Sequence, residues 1–303
     1  MSILLCCNMR PDQFSRTAEF MALFRAIESA QPAGQRLFHD PFAAMFVSAP
    51  LRRIVRWSAI PMLASLLRGM IDRFWPGART SAVARTRLID DWIADSIRSG
   101  AQQLLALGAG FDSRAWRLPI LAKLPVFEVD HAATAAEKGR RIAALGAQTS
   151  GVIPIAIDFD HEQLPEVLSA AGFDPKIVTT VVWEGVTNYL TADAVGSVLS
   201  WVGTLATGST LIFTYIHRDV LADPARFEGA RKILMAVASA GEPWTFGMAP
   251  EALPRCLQSR GLRLMEDLGA DDYRARYFGS KARKMRGYSF YRAALATVAP
   301  TDA

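Results

Sequence analysis

The strongest constraint on this chain is a strand-like apolar run that ends in glycines, followed about twenty residues later by a second run that ends in an acid. The first run, 103–107, leads into Gly108-Ala109-Gly110, and the second, 126–129, stops at Asp130. A strand, a glycine turn, a helical segment and a second strand open a nucleotide-binding α/β unit, in which the acid binds ribose hydroxyls. The stretch therefore predicts a parallel sheet with a ribose-bearing ligand at its strand ends.

The same alternation continues along the chain and predicts a doubly wound α/β fold. After it come a helical segment at 249–260 and two more apolar runs, at 262–268 and 288–295, joined by a long polar connection without a crossover helix. Such a pair predicts an antiparallel edge on an otherwise parallel sheet. The alternating apolar runs lie at 103–107, 126–129, 152–157, 178–183 and 210–215, and the helical spacing lies at 112–122, 132–145, 161–171 and 191–206.

No strand pattern occurs before residue 100, so the first quarter of the chain is predicted to be helical. Apolar residues follow helical spacing over 14–30 and 50–75, and Asp40-Pro41 is typical of the start of a short helix. A strongly periodic helix then spans 79–99. We expect residues 1–78 to form a cap or lid and residues 79–303 to form the ligand-binding core. The apolar segment 54–67 suits either a wall of the site or an ordinary helix–helix core.

Composition narrows the class of protein further. No apolar stretch approaches the roughly 20 residues of a membrane span, and the N-terminus lacks the pattern of a secretory signal, so a cytoplasmic location is expected. The 3 cysteines and 4 histidines show no disulfide or metal-ligand spacing. The net charge of +5 comes from scattered arginines, so nucleic-acid binding is not indicated.

Further acids close the third and fourth apolar runs. Asp158, followed by Phe159, ends the third run, and Glu184 ends the fourth. Asp158 suits the amino group of an adenine with Phe159 against the ring, although Asp158-Phe159-Asp160 also suits a helix N-cap. Glu128 has the same parity as Asp130 along the strand and competes for the ribose.

The glycine turn disfavours a dinucleotide. A dinucleotide fingerprint carries a third glycine where this chain has Ser113. Gly108 and Gly110 still let a ligand approach the backbone closely, without a pyrophosphate cradle. Combined with the strand-end acids and with Arg85 on the preceding helix, they fit S-adenosylmethionine, whose carboxylate a guanidinium grips bidentately. The alternative for Arg85 is an exposed charge on an amphipathic helix.

Several segments together resemble the leucine carboxyl methyltransferase family, and in particular its bacterial branch, common in actinobacteria. The resemblance runs from about Thr17-Ala18 to Tyr291. It implies an S-adenosylmethionine-dependent O-methyltransferase with a seven-stranded Rossmann-like core and a helical cap, the class I methyltransferase fold. The segments that carry it, in family order and spacing, are ARTRLIDDWI, LLALGAGFDSRAWRLP, VFEVDH, IDFD and EGVTNYL.

The resemblance also implies roles for individual residues. Arg85 and Gly108 would hold the methionine moiety and Asp130 the ribose. Asp158 with Phe159 would hold the adenine.

Three further roles come from the same resemblance. Glu184 would lie near the methionine amino group, and Arg25 is similar to a basic residue of the family's N-terminal segment. Tyr189 would face the carboxylate of the acceptor.

The residues fit a reaction that needs no general base. A carboxylate that attacks a sulfonium methyl group is already the nucleophile, so alignment and desolvation are sufficient. The resemblance, with which these residues agree, makes a small-molecule or peptide carboxylate the expected acceptor. A phenol or hydroxyl acceptor would need a base, for which His217 or Tyr215 would be the candidates. An NAD-dependent oxidoreductase and a binding protein without turnover are the remaining alternatives.

Overall fold

The computed structural model describes residues 16–144, 146, 151–158 and 161–300, and its centre is a seven-stranded sheet of order β3-β2-β1-β4-β5-β7-β6. Strands β1 to β5 pair in parallel, whereas β7 pairs antiparallel with both β5 and β6. The predicted fold class is therefore confirmed. The strands are β1 (Gln103–Leu107), β2 (Val126–Asp130), β3 (Val152–Ala156), β4 (Thr179–Trp183), β5 (Thr210–Ile216), β6 (Leu262–Leu268) and β7 (Tyr291–Val298).

Helices cover the sheet on both sides, as the apolar strands require. The helices are α1 (Arg16–Ser29), α2 (Ala49–Ser58), α3 (Pro61–Phe74), α4 (Ala78–Arg98), α5 (Arg114–Arg117), α6 (Ala132–Ala143), α7 (Leu164–Ala170), α8 (Ala192–Val202), α9 (Asp219–Ala222), α10 (Ala230–Ser239), α11 (Leu253–Gln258) and α12 (Ala270–Phe278).

The central strands are buried on both faces because alternate side chains enter two separate cores. On β1, Leu105 and Leu107 pack into the core beneath α8 and α11, whereas Leu104 and Ala106 pack into the core beneath α4. Strand β1 is buried throughout. Because the side chains of β1 are used in packing, β1 contributes to a ligand site through the turn that follows it.

Three helices, α9, α10 and α12, have no counterpart in the sequence prediction. Helix α12 occupies the predicted polar connection between the last two strands, so the expectation of a join without a helix is wrong, although the antiparallel pairing is right. Its sequence is mostly polar, and only Ala270 and Tyr273 are buried. Helix α10, in a stretch left without a prediction, buries Ala230 and Val237.

Some predicted boundaries also shift. The helix expected over 112–122 is shortened to α5, because Pro119 cannot donate the next backbone hydrogen bond and starts a 3₁₀ turn. The short helix expected from Asp40-Pro41 is a 3₁₀ turn at Ala43–Phe46. The last strand, expected over 288–295, begins at Tyr291.

The first three helices contact the core around the turn that follows β1. Phe46 stacks on Phe111 with 5.1 Å between the ring centroids, and both belong to a cluster that also contains Leu23 and Ile27 of α1. The N-terminal helices are thereby placed over the carboxyl ends of the strands.

Candidate functional site

A cavity of about 990 Å³ opens at the carboxyl ends of β1, β2 and β4, beneath α1. Ligands of open α/β sheets bind at this edge. Phe159 lies outside the described residues. The cavity wall includes eight of the residues that the sequence singled out: Arg25, Arg85, Gly108, Gly110, Asp130, Asp158, Glu184 and Tyr189.

The turn after β1 brings bare backbone to the cavity. Gly108 and Gly110 have φ angles of +67° and +47°, which side-chain-bearing residues rarely adopt. A Cβ on Gly108 would lie 2.4 Å from Val186 Cγ2. The Gly108 amide donates to Val129 O at 2.8 Å, so the turn is fastened to the neighbouring strand. The predicted need for glycine at 108 has a steric basis.

Asp130 presents a carboxylate already oriented by the backbone. One oxygen accepts a hydrogen bond from the Gly110 amide, and the other accepts from the His131 amide at 2.7 Å. Burial raises the pKa of Asp130, and these two hydrogen bonds oppose the rise only in part. Each oxygen keeps a lone pair for a further donor, which suits a pair of vicinal hydroxyls.

Glu128, the competing acid on the same strand, faces elsewhere. Its Oε2 lies 2.8 Å from Lys138 Nζ on α6, and it does not appear among the described residues that line the cavity. Burial raises its pKa to about 7 despite Lys138. Of these two acids on β2, Asp130 is the one that lines the cavity.

Asp158 lines the cavity and does not cap the following helix. Its amide donates to Glu162 Oε2 at 2.7 Å, and its carbonyl accepts from the Glu162 amide at 2.8 Å. Helix α7 begins later, at Leu164, and Gln163 occupies its N-cap. The N-cap interpretation of Asp158 is wrong.

Glu184, at the end of β4, lies between two arginines. Arg85 Nε is 3.0 Å from its Oε1, and Arg114 Nη1 is 2.9 Å from its Oε2. Burial would raise the pKa of Glu184, but Arg114 and Arg85 outweigh it and hold the pKa below its ordinary value. The Arg85 guanidinium also lies over the Tyr291 ring, 4.3 Å from the centroid. Arg85 is thus buried in the cavity wall, and the exposed-charge interpretation is wrong.

These contacts extend into a buried network of ion pairs. Arg114 also contacts Asp112 at 2.6 Å and Asp90 at 2.8 Å. Arg117 contacts Asp90 at 2.6 Å and lies 3.9 Å from Asp40, and the Asp40 carboxylate receives Arg25 Nε at 2.9 Å. The charge network comprises four arginines and four acids: Arg25, Asp40, Arg85, Asp90, Asp112, Arg114, Arg117 and Glu184.

The sequence reading found only Arg25, Arg85 and Glu184 of this network. Two of the other five had a detectable signal: Arg114 and Arg117 are three residues apart on one turn of helix, directly after the glycine loop. Such a pair faces the same way and calls for buried acids.

Ser113 explains the missing third glycine. Its hydroxyl is buried and donates to Asp40 Oδ2 at 2.6 Å. The same carboxylate binds Arg25 of α1, which also donates to the carbonyl of Phe111. The serine therefore attaches the N-terminal helices to the glycine loop.

The far side of the cavity is largely apolar with a few polar groups. Phe20 and Phe24 of α1, Ile71 of α3 and Ile233 and Val237 of α10 line it. Ile54 and Leu67 also line it, as expected for a wall formed by 54–67.

Tyr189 stands in this part of the wall, and burial raises its pKa well above the ordinary tyrosine value. Nearby, Glu242 accepts a hydrogen bond from the hydroxyl of Thr17. The Trp244 side chain interacts with the Tyr189 hydroxyl, and the Tyr288 hydroxyl is buried and has no hydrogen-bond partner among the described residues. Sequence reasoning missed Glu242, Trp244 and Tyr288, which follow no strand end.

The two bases considered for a phenol acceptor do not reach the cavity. The Tyr215 hydroxyl donates to Asp267 Oδ2 at 2.7 Å, and His217 Nδ1 accepts from the Asp219 amide at 3.1 Å. Neither residue occurs in the described cavity wall. The suggestion that either one acts as the base is wrong.

Within the described ranges, His, Cys, Asp and Glu side chains form no group of three or more suited to a metal ion. No described helix combines the length and the apolar character needed to cross a membrane.

Comparison with known proteins identifies relatives of this fold and site. A model of the leucine carboxyl methyltransferase family matches residues 18–203. A protein of Frankia alni named as an S-adenosyl-L-methionine-dependent methyltransferase is 35% identical over 246 residues, covering 80% of each chain. A second, from Mycolicibacterium smegmatis, is 34% identical over 227 residues, covering 72% of each chain.

Two solved structures share the fold. A DUF574 family protein from Streptomyces avermitilis aligns with a TM-score of 0.59 and 14% identity over 95% of this chain and 99% of that one. A protein of Thermobifida fusca named as a methyltransferase aligns with a TM-score of 0.55 and 16% identity over 94% and 98%.

The sheet order and the solved structures show a Rossmann-like fold, and the family match and the curated relatives show that the chain is an S-adenosylmethionine-dependent methyltransferase. Within that class, the chain belongs to the leucine carboxyl methyltransferase family. Membership of this family excludes the two alternatives left by the sequence, an NAD-dependent oxidoreductase and a binding protein without turnover.

Proposed function

We propose that this enzyme transfers the methyl group of S-adenosylmethionine to a carboxylate oxygen of a largely apolar small molecule or peptide. The observation that carries the proposal is that one cavity contains both a polar part suited to the donor, here called the donor rim, and an apolar part suited to the acceptor, here called the chamber. The rim contains Gly108, Asp130 and Glu184, and the chamber is lined by α1, α3 and α10.

The residues of the rim fit the donor in chemistry and in shape. Asp130 accepts the ribose hydroxyls with the lone pairs that its backbone contacts leave available. Gly108 admits the amino-acid portion where a side chain would collide with Val186. Asp158 accepts the adenine amino group, and Phe159 is assigned to the ring from the sequence pattern and the family resemblance.

Arg85 and Glu184 bind the charged end of the donor. Arg85 is held by Glu184 through Nε, and its Nη1 has no hydrogen-bond partner among the described residues. That atom is available to the donor carboxylate, while Glu184, kept ionised by two arginines, attracts the ammonium group.

When bound, the donor would supply an electrophilic sulfonium methyl group to the acceptor oxygen, and its sulfur would keep the electron pair of the broken carbon–sulfur bond and leave as a thioether. The chain aligns the acceptor and excludes water. Tyr189 keeps its proton, because burial raises its pKa, and donates a hydrogen bond to the acceptor. The apolar walls desolvate the carboxylate and so make it more nucleophilic.

Arg25 acts as a positioning residue in this proposal. Its guanidinium is committed to Asp40 and to the carbonyl of Phe111. It therefore holds α1 against the glycine loop and fixes the roof over the donor. A direct contact of Arg25 with the donor is not needed for this role.

A hydroxyl or phenol acceptor is the second candidate, and Glu242 favours it. Its carboxylate lies in the cavity wall with Tyr189 and Trp244. A buried carboxylate there repels an acceptor carboxylate but removes a proton from a hydroxyl. Glu242 replaces Tyr215 and His217 as the base that this alternative requires.

We further propose that residues 1–78 act as a cap and residues 79–303 as the core. The contacts of α1 with the glycine loop support this division, and α3 contributes to the chamber. Helix α10 and the following loop belong to the core by position but complete the roof.

The chemistry of the product separates the two candidates. The enzyme is incubated with S-adenosylmethionine tritiated on the methyl group and with matched aryl carboxylates and phenols. A methyl ester releases volatile tritiated methanol in mild base, whereas a methyl ether does not. We expect base-labile product, and equal labelling by Glu242→Gln. A base-stable product that disappears in Glu242→Gln would select the hydroxyl acceptor.

A further inference from the structure

We infer that the outer face of α2 and α3 binds the surface of an anionic lipid bilayer. This face is defined by Trp57, Ile60, Met62, Leu63, Leu66, Met70 and Phe74. These are seven of the ten large apolar side chains that are exposed in the described chain. Concentration of exposed apolar surface in one patch marks an interaction site rather than ordinary surface variation.

The pattern on α3 is helical and continuous. Met62, Leu66, Met70 and Phe74 follow one another at intervals of four residues, so they form one stripe along the helix. Met62 is the most exposed of them, at 87%. The other side of α3 is also apolar: Ala64 is buried, and Leu67 and Ile71 line the cavity. The outer stripe is therefore not needed for packing the fold.

The charges around this face select the partner. Arg52, Arg53 and Arg56 of α2 and Arg73 of α3 are exposed, and none forms an ion pair with a described residue. The single acid of the two helices, Asp72, is bound to Arg79. Basic side chains beside exposed tryptophan, methionine and leucine are typical of helices that lie in the interface of anionic membranes.

The same charges disfavour a second copy of the chain. In a two-fold symmetric contact the patch would face itself. The exposed arginines would then be brought together without acids to compensate them. Phosphate groups of lipids compensate them directly.

The face adjoins the cavity. Phe20 of α1 is half exposed and also lines the cavity. On α3 itself, Leu67 and Ile71 line the cavity while the outer stripe is exposed. A membrane-bound enzyme would thus take an apolar acceptor from the bilayer at the cavity mouth. The membrane binding itself does not depend on which acceptor the enzyme uses.

Co-sedimentation with vesicles tests this inference. Wild-type protein is mixed with phosphatidylcholine vesicles that contain phosphatidylglycerol, and with pure phosphatidylcholine vesicles as reference. The triple variant Met62→Ser, Leu66→Ser, Met70→Ser removes part of the stripe, and Met235→Ser with Met265→Ser removes exposed methionines elsewhere as the control. Arg53→Gln with Arg56→Gln is compared with Arg255→Gln with Arg283→Gln.

We expect wild-type protein and both control variants to pellet with the anionic vesicles. The double arginine variant should bind at least about tenfold more weakly, and the triple serine variant should stay in the supernatant with an unchanged melting temperature. Equal pelleting of wild-type and triple serine variant would overturn the inference. So would failure of wild-type protein to bind, or self-association in sedimentation equilibrium that the triple substitution abolishes.

Discussion

The hydroxyl of Ser113 donates a 2.6 Å hydrogen bond to Asp40 Oδ2, and this contact connects the loop after β1 with the segment that follows α1. The same oxygen accepts from Arg25 Nε at 2.9 Å. A glycine at 113, as in a dinucleotide fingerprint, could not make the contact. Ser113 therefore stands where a dinucleotide-binding protein has its third glycine, and it connects the glycine loop to the N-terminal helices through Asp40.

Removing this attachment should reduce stability by a measurable amount. Ser113→Ala leaves a buried carboxylate short of one donor, which costs about 1–3 kcal/mol. Asp40→Asn leaves Arg25 without its anion and should cost more, about 3–5 kcal/mol. Urea unfolding measures both values. Ser259→Ala removes an exposed hydroxyl that donates to Cys256 O, and it should stay within about 0.5 kcal/mol of wild type.

Donor affinity should depend on Asp130 and not on Glu128. Asp130→Asn loses charge-assisted hydrogen bonds to ribose, worth about 1.5–3 kcal/mol. The dissociation constant of S-adenosylmethionine should therefore rise by at least about tenfold in calorimetry. Glu128→Gln, two residues earlier on the same strand but paired with Lys138, is the matched control and should bind the donor normally. Equal weakening by both substitutions would mean that Asp130 does not contact the donor.

Two glycine substitutions separate a steric effect from backbone strain. Gly108→Ala combines a positive φ with a Cβ 2.4 Å from Val186 Cγ2, whereas Gly208 has a φ of +88° and no atom within 4 Å of the added carbon. Gly208→Ala should cost about 1 kcal/mol of stability and leave donor binding intact. Gly108→Ala should cost several times more and abolish binding. If the two variants behave alike, the turn tolerates a side chain and the close approach is unimportant.

Stability should fall as pH rises from mildly acid to neutral. Burial raises the pKa of Glu128 to about 7 from its ordinary value of 4.5, so the folded chain holds this proton where the unfolded chain has lost it. The contribution is fully present below the unfolded pKa and is lost as pH rises through the folded pKa, by about 3 kcal/mol in total. Asp130, whose pKa burial also raises, acts in the same direction.

Glu128→Gln cannot ionise and should flatten the pH dependence of the melting temperature between about pH 5 and 7. Some slope should persist because of Asp130. A slope as steep as that of wild type would show that Glu128 keeps an ordinary pKa in the folded protein.

The parallel sheet could be predicted because each central strand is an uninterrupted apolar run. The run at 103–107 matches β1 residue for residue. Helix α12 could not be predicted by the same means, since it buries little beyond Ala270 and Tyr273. Its position depends on tertiary contacts, such as that of the Tyr273 hydroxyl with Tyr291 O.

The donor rim could be predicted because strand order brings the ends of β1, β2 and β4 together. Asp130 is recognisable as the last residue of the second apolar run, and Glu184 as the first residue after the fourth. The acceptor side lies outside this rule: Glu242 and Trp244 follow α10 in a loop. Only the three-dimensional path of that loop brings them to the cavity.

The balance of four arginines against four acids around Glu184 constrains how this enzyme can diverge. Replacing any one of them by an uncharged residue leaves a buried charge without a counter-charge, so we expect such changes at these positions to occur in pairs. Apolar residues of the chamber, such as Phe20 and Ile233, can be exchanged one at a time at small cost. A lineage can therefore acquire new acceptors in small steps while its methyl donor stays the same.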